Sequence, residues 1–342
     1  MIKIPAEEFK ARRKRAQELV REKGLDALLV HSHEADFANV RYLSDFWPLF
    51  ESAGVVIQAE GDPLLIIGPE SETFARDHST IEDIRKILYY NEKLYEELSD
   101  CDYPDIAIDS FEQIFSFANN GRGVKKLGIA GWTAMPVSIY EALKKALPEV
   151  EIVKADDIMY RLRMIKSDNE IAVLREAFKI CEAGVEAVLN AIKPGMTELQ
   201  VVGIAQEAMY RNGAEYEAHP TYVLSGINSS HAIGRPTYRV LEKGELVQLN
   251  IGARVAGYSP SIGLPVCLGK MDAAMKDLVS FGLEAHNKTM EWLKGGIPAG
   301  EVARNYFDFV NKRGYGENLL YGPCYGLGMI EVERPWMETT ST

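Results

Sequence analysis

Hydrophobic and polar positions alternate between two rhythms along the first half of the chain. Residues 7–23 carry the charged, amphipathic pattern of a helix, stopped by Gly24. The run DALLV at 26–30 reads as a buried strand. Residues 53–59 and 64–67 read as two strands joined by the turn EGDP. Strands are predicted at 126–130 and 150–153, with a helix over 137–146 between them. Such alternation predicts an α/β layered domain.

The rhythm lengthens in the second half. A helical span opens near Ile158, and Ser167 with Glu170 forms a capping box within it. Pro194–Gly195 ends this span. Thr197 and Gln200 make a second capping box, opening a helix closed by Gly213. Strands are predicted at 222–225, 246–253 and 259–268, helices at 273–293 and 299–313, and a last strand-like stretch at 326–332. Residues 247–263, VQLNIGARVAGYSPSIG, read as strand, tight bend and strand. A hairpin centred on Val255–Ala256 places Asn250 opposite Ser261.

At 342 residues the chain has material for two cores, and the handover falls near residues 154–160. The net charge of −12 argues against nucleic acid or an anionic membrane surface as partner. Cys101, Cys181, Cys267 and Cys324 are widely spaced and form no C-x-x-C, as expected of reduced thiols in a cytoplasmic protein. The N-terminal residues lack the apolar core of a signal peptide, and no apolar run approaches the roughly 18 residues of a membrane span.

Several words of the sequence resemble one family. NVRYLSDF (39–46), RMIKSDNEI (163–171), GMTELQVVGIAQEAMYRNGAE (195–215), SGINSSHAIGRPTYRV (225–240) and GELVQLNIGARVAGY (244–258) are similar, in this order, to the pita-bread family of aminopeptidase P, methionine aminopeptidase, prolidase and creatinase. The resemblance covers essentially the whole chain. It implies an α/β N-terminal domain over 1–155 and an α+β pita-bread domain over 156–342, a curved antiparallel sheet backed by helices. The second domain is expected to lack its last strands, since the sequence stops at METTST with Thr342. The resemblance also implies a homodimer, with Trp47 and Phe50 reaching the partner's pocket or packing on their own domain.

In metallopeptidase members of that family the two hairpin positions are aspartates that bridge two divalent metals. Here they are Asn250 and Ser261. A family word G-H-G-x-G-L-x-x-H-E is matched by GPCYGLGMIEVERPW, which puts Pro323 at the ligand histidine, Ile330 at the second histidine and Glu331 at the acidic position. Ile233 stands at a further histidine position, with His231 two residues earlier. Two close dications repel strongly unless anionic ligands compensate them, so this donor set predicts no metal and no other cofactor. Creatinase is the precedent for activity without metal, although Gly263 stands where creatinase carries a substrate-binding glutamate.

The remaining polar residues set the expected site. His231 reads as a general base or as an exposed loop residue. Glu331 and Glu333, two apart on a predicted strand, share a face, and Glu331 is the candidate acid or cation-holding partner. Asn250, Ser261, His219, Tyr258, Glu333 and Arg334 are the candidate substrate-binding residues. Tyr258 reads alternatively as a core tyrosine, His219 as a structural histidine and Arg334 as a surface ion-pair partner. Cys324 is a nucleophile only if a nearby base lowers its pKa. The expected function is a creatinase-like, metal-independent hydrolase of a C–N or amide bond in a small polar molecule. A Xaa-Pro aminopeptidase-like metallopeptidase with an altered site, and a non-catalytic binding protein, are the alternatives.

Overall fold

Strand β1 (Ala27–Ser32) is buried at all six positions, because it lies between two neighbours in a sheet covered on both faces. It pairs antiparallel with β2 (Ala53–Gln58) and parallel with β5 (Lys126–Ala130). The sheet is completed by β3 (Leu64–Ile67), β4 (Ile84–Lys86) and β6 (Glu151–Lys154), in the order β4-β3-β2-β1-β5-β6. The computed structural model describes residues 2–91 and 107–337. It divides into two units, which part between Ile165 and Lys166. Cys101 and the last five residues, 338–342, lie outside the described residues.

In the first unit α1 (Ala6–Glu22) buries Phe9, Arg12, Ala16, Leu19 and Val20. Arg12 is tolerated there because its guanidinium lies 4.1 Å from the Tyr42 ring centroid and donates to the Tyr42 carbonyl. Tyr42 belongs to α2 (Ala38–Ser44), a short helix buried throughout and formed by the word NVRYLS. The Tyr42 hydroxyl donates to the Leu162 carbonyl. Leu162 lies on α6 (Asp156–Met164), which therefore packs with the first unit rather than opening the second. Helices α3 (Glu72–His78), α4 (Phe111–Ser116) and α5 (Val137–Ala146) also belong to this unit. After α2, Trp47 packs against Phe37, while Phe50 is exposed with a left-handed backbone, φ 61°.

His31, on β1, is buried edge-on against Tyr90, and neither ring nitrogen has a hydrogen-bond partner. Burial, reinforced by the charge of His33, pushes its pKa down to about 3. The unfolded chain then binds a proton that the folded chain refuses. Stability is complete above the unfolded value of about 6.5 and falls as pH drops toward 3, at up to about 1.4 kcal/mol per pH unit. Urea midpoints measured at pH 7 and pH 4.5 should differ less in His31→Leu than in the wild type. An unchanged difference would assign the acid sensitivity to other groups.

The second unit begins with α7 (Asp168–Ala191) and α8 (Glu198–Arg211), each opened by its capping box at Ser167/Glu170 and Thr197/Gln200. Four strands follow: β7 (Tyr216–Glu217), β8 (Tyr222–Ser225), β9 (Leu246–Arg254) and β10 (Ser261–Cys267). All pairings on β9 are antiparallel. Val247, Leu249, Ile251 and Ala253 form its buried face. Gly184 of α7 lets helix and sheet close together, since a Cβ there would lie 3.1 Å from the Ile251 side chain. The alternate positions, Gln248 and Asn250, are half-buried on the opposite face.

The hairpin register differs from the expected one by two residues. Asn250 lies opposite Gly263, and Ser261 lies opposite Gly252. The turn is Ala256–Gly257, with φ of 46° and 86°. A two-residue turn with both φ positive matches the twist of the strands it joins, which a turn one residue earlier would not. The shift is even, so Asn250 and Ser261 keep a common face and meet diagonally. Helices α9 (Ala273–Trp292) and α10 (Ala299–Lys312) pack around Phe281, Ala285 and Val310. The unit closes with the short antiparallel pair β11 (Tyr325–Gly326) and β12 (Glu333–Trp336).

Candidate functional site

Glu331 lies in the loop between β11 and β12, not on a strand. The apolar alternation of Ile330 and Val332 imitated a strand, but these residues form a bend stitched to the hairpin turn. The Ser259 backbone N–H donates to the Gly328 carbonyl at 2.8 Å, and its hydroxyl donates to the Met329 carbonyl at 3.0 Å. From the other side Glu333 accepts the Ile330 N–H at 3.2 Å and the Lys166 ammonium at 3.0 Å. Glu333 is a buried carboxylate that holds the loop, with its charge answered by Lys166.

This bracing brings Glu331 to the half-buried face of the hairpin. Its Oε1 accepts the Ser261 hydroxyl at 2.6 Å and the Asn250 amide N–H at 3.1 Å. His219, between β7 and β8, places Nε2 3.5 Å from the same oxygen. The structure thus gathers Asn250, Ser261, Glu331 and His219 into one polar cluster. Asn250 Oδ1 and His219 Nε2 are buried within it and have no hydrogen-bond partner. Buried polar atoms are rarely left so, and each costs about 1–3 kcal/mol unless something pairs it.

The other candidate residues lie elsewhere. Tyr258 is fully buried, and its hydroxyl donates to Glu170 at 2.7 Å, fixing the start of α7 to the hairpin turn. Arg334 lies 4.7 Å from the ring centroid of Trp336. His231 is exposed at the end of the turn Gly226–Ser230, and no hydrogen bond or ion pair links its side chain to the cluster. Burial raises the Cys324 pKa, which leaves its thiol protonated and unsuited to attack.

One residue of the second unit was not picked out by the sequence reading. Glu198, the first residue of α8, is completely buried. Its carboxylate accepts the N–H and hydroxyl of Ser225, the N–H and hydroxyl of Thr237, and the Asn228 amide. It thereby ties down both ends of the loop that carries His231. Burial alone would raise its pKa, but the hydrogen bonds from Ser225 and Thr237 outweigh this and hold it below the usual carboxylate value.

Two known sequence patterns together span most of the chain. That of the Creatinase/Prolidase N-terminal domain matches residues 12–165, and that of Metallopeptidase family M24 matches residues 172–341. The chain belongs to the pita-bread family of creatinases and prolidases. A Xaa-Pro dipeptidase of Pyrococcus horikoshii is 29% identical over 323 residues, covering 94% of this chain and 82% of that protein. A creatinase of Bacillus sp. is 24% identical, covering 95% of this chain and 76% of the relative. The crystal structure of the prolidase from Pyrococcus horikoshii OT3 superposes with a TM-score of 0.81 at 26% identity, over 97% of this chain and 86% of the other. The antiparallel sheet with α7 and α8 against one face is thus the pita-bread layer of the family.

The family's metallopeptidase members imply a pair of divalent ions at this hairpin. The residues present do not fit them. The gathered donors are one carboxylate, one imidazole, an amide and a hydroxyl, a single negative charge against two dications. The amide and the hydroxyl both donate to Glu331. Pro323 has no side-chain donor at the expected histidine position. Among the described residues no three His, Cys, Asp or Glu side chains converge in a way that could hold a metal.

Proposed function

We propose that this chain is a metal-independent hydrolase that cleaves a C–N bond in a small polar molecule bearing a cationic or N–H-rich group. The observation that carries this reading is the unpaired chemistry of the cluster. Asn250 Oδ1 and His219 Nε2 are buried without donors, beside a carboxylate that engages its partners through Oε1 alone. A site that presents acceptors and one negative charge is complementary to ammonium, amidinium or guanidinium groups, whose N–H bonds satisfy them. Membership of a family with Xaa-Pro dipeptidase and creatinase relatives supports hydrolysis as the reaction class.

The test is turnover by exhaustively chelated protein of creatine, guanidinoacetate, betaine amide and glycyl-proline. The expected result is hydrolysis of a guanidino or cationic amide compound at an unchanged rate after chelation. Activity that vanishes with chelator and returns with manganese or cobalt would overturn the reading. It would favour the second one, a Xaa-Pro dipeptidase with an altered site, which the similarity to Xaa-Pro dipeptidases supports. That alternative predicts release of proline from glycyl-proline.

A further inference from the structure

We propose that His219, with Glu331 as its proton partner, takes the proton from the attacking water and returns it to the leaving nitrogen. The chemistry rests on the hydrolase reading above, whereas the arrangement of hydrogens does not.

The ring is locked before any ligand arrives. The Ala218 N–H donates to the Gly252 carbonyl at 2.8 Å, and Arg254 Nη2 donates to the Ala218 carbonyl at 3.3 Å, so the backbone before His219 is pinned to β9. The imidazole stands edge-on to Tyr222 at 5.5 Å, and its Nδ1 lies 2.7 Å from the Pro220 carbonyl oxygen. A carbonyl oxygen only accepts, so Nδ1 carries the hydrogen. In the neutral ring the lone pair is then on Nε2, buried, unpartnered and 3.5 Å from Glu331 Oε1.

A lone pair aimed at a carboxylate oxygen is unfavourable unless a hydrogen lies between or beside them. A water or substrate N–H that donates to Nε2 removes the conflict, and so does a proton held by either member of the pair. This is the condition of a poised base, set by a fixed tautomer and an adjacent anion. Other charges near His219 are already engaged. The Glu217 carboxylate accepts from Thr221 and Gln206, and Arg254 donates to Ser259 and Ala218. In the reaction a water O–H bond breaks, its proton passes to Nε2, and the oxygen bonds to the substrate carbon. The imidazolium, stabilised by Glu331, then protonates the nitrogen as the C–N bond breaks. No oxidant, reductant or further reactant is required.

Nitrogen NMR of histidine-labelled protein, without ligand, reads the hydrogen arrangement directly. Neutral His219 is expected to carry its hydrogen on Nδ1, with an Nε2 resonance that moves in Glu331→Gln but not in His286→Asn. A hydrogen on Nε2, or indifference to Glu331→Gln, would overturn the pairing. The catalytic role is read on whichever of creatine, guanidinoacetate, betaine amide or glycyl-proline is turned over. His219→Asn and His219→Gln should each lower kcat by about 10²–10⁴-fold, with KM changed far less. His286→Asn should match wild type. Full kcat in folded His219→Asn, or an equal loss confined to His231→Asn, would sink the assignment. The absence of any turnover would instead sink the hydrolase reading, and the catalytic role with it.

Discussion

Replacing Glu198 with leucine is expected to lower the unfolding free energy by about 3–5 kcal/mol, since several buried donors lose their acceptor at about 1–3 kcal/mol each. The reason is the number of donors left behind. Ser225 and Thr237 each present an N–H and a hydroxyl to this carboxylate at 2.7 to 2.8 Å, in a place that water does not reach. Arg239 donates to the Ser225 hydroxyl and is itself paired with Glu245, so the disturbance spreads to a second ion pair. Glu198→Gln keeps one acceptor oxygen and should lose less. The pH dependence follows from the depressed carboxylate. Its contribution is complete above the unfolded value of about 4.3 and is lost as pH falls through the lower folded value. Urea unfolding of the three proteins checks the order, and a leucine variant within about 1 kcal/mol of wild type would contradict a network role for this residue.

The second large effect is expected at Lys166 and Glu333. Lys166→Met removes the ammonium that pairs with the buried Glu333 carboxylate at 3.0 Å and should cost about 3–5 kcal/mol, whereas Lys166→Met with Glu333→Leu should recover much of that loss. Function should separate from stability in the double variant. Glu333 also accepts the Ile330 N–H beside Glu331, so removing it loosens the loop that aims Glu331 at Asn250 and Ser261. The double variant is therefore expected to fold and yet to have reduced kcat on the substrate of the wild type. Single losses that simply add in the double variant would show that the two side chains are not coupled. Wild-type kcat in the double variant would show that the loop is held by Ser259 alone.

Much of the second unit could be read from residue pattern, because period and capping are local. The boxes at Ser167/Glu170 and Thr197/Gln200 open α7 and α8 where expected. The diagonal meeting of Asn250 and Ser261 survived a wrong register because a shift of two leaves every side chain on its face. The residues 327–332 were misread because two alternating apolar residues suffice to suggest a strand, while the stitching by Ser259 and Glu333 comes from distant sequence. Glu198 was missed for a related reason. An acidic residue in the first turn of a helix is ordinarily an exposed favourable charge, and only the loop carrying Ser225 and Thr237 makes it an interior anchor. The pairing of Glu331 with His219 rather than His231 likewise depends on tertiary placement that spacing does not reveal.

Gly263 faces Asn250 across the sheet, and a Cβ added there would meet nothing closer than 3.9 Å, the Asn250 carbonyl oxygen being among the atoms at that distance. The strand is thus already shaped to carry a larger residue without rebuilding its backbone. A side chain at this position would set its first carbon 3.9 Å from the Asn250 amide oxygen, beside the polar cluster. Exchanging this glycine is therefore expected to change what surrounds Asn250 while the hairpin backbone stays as it is.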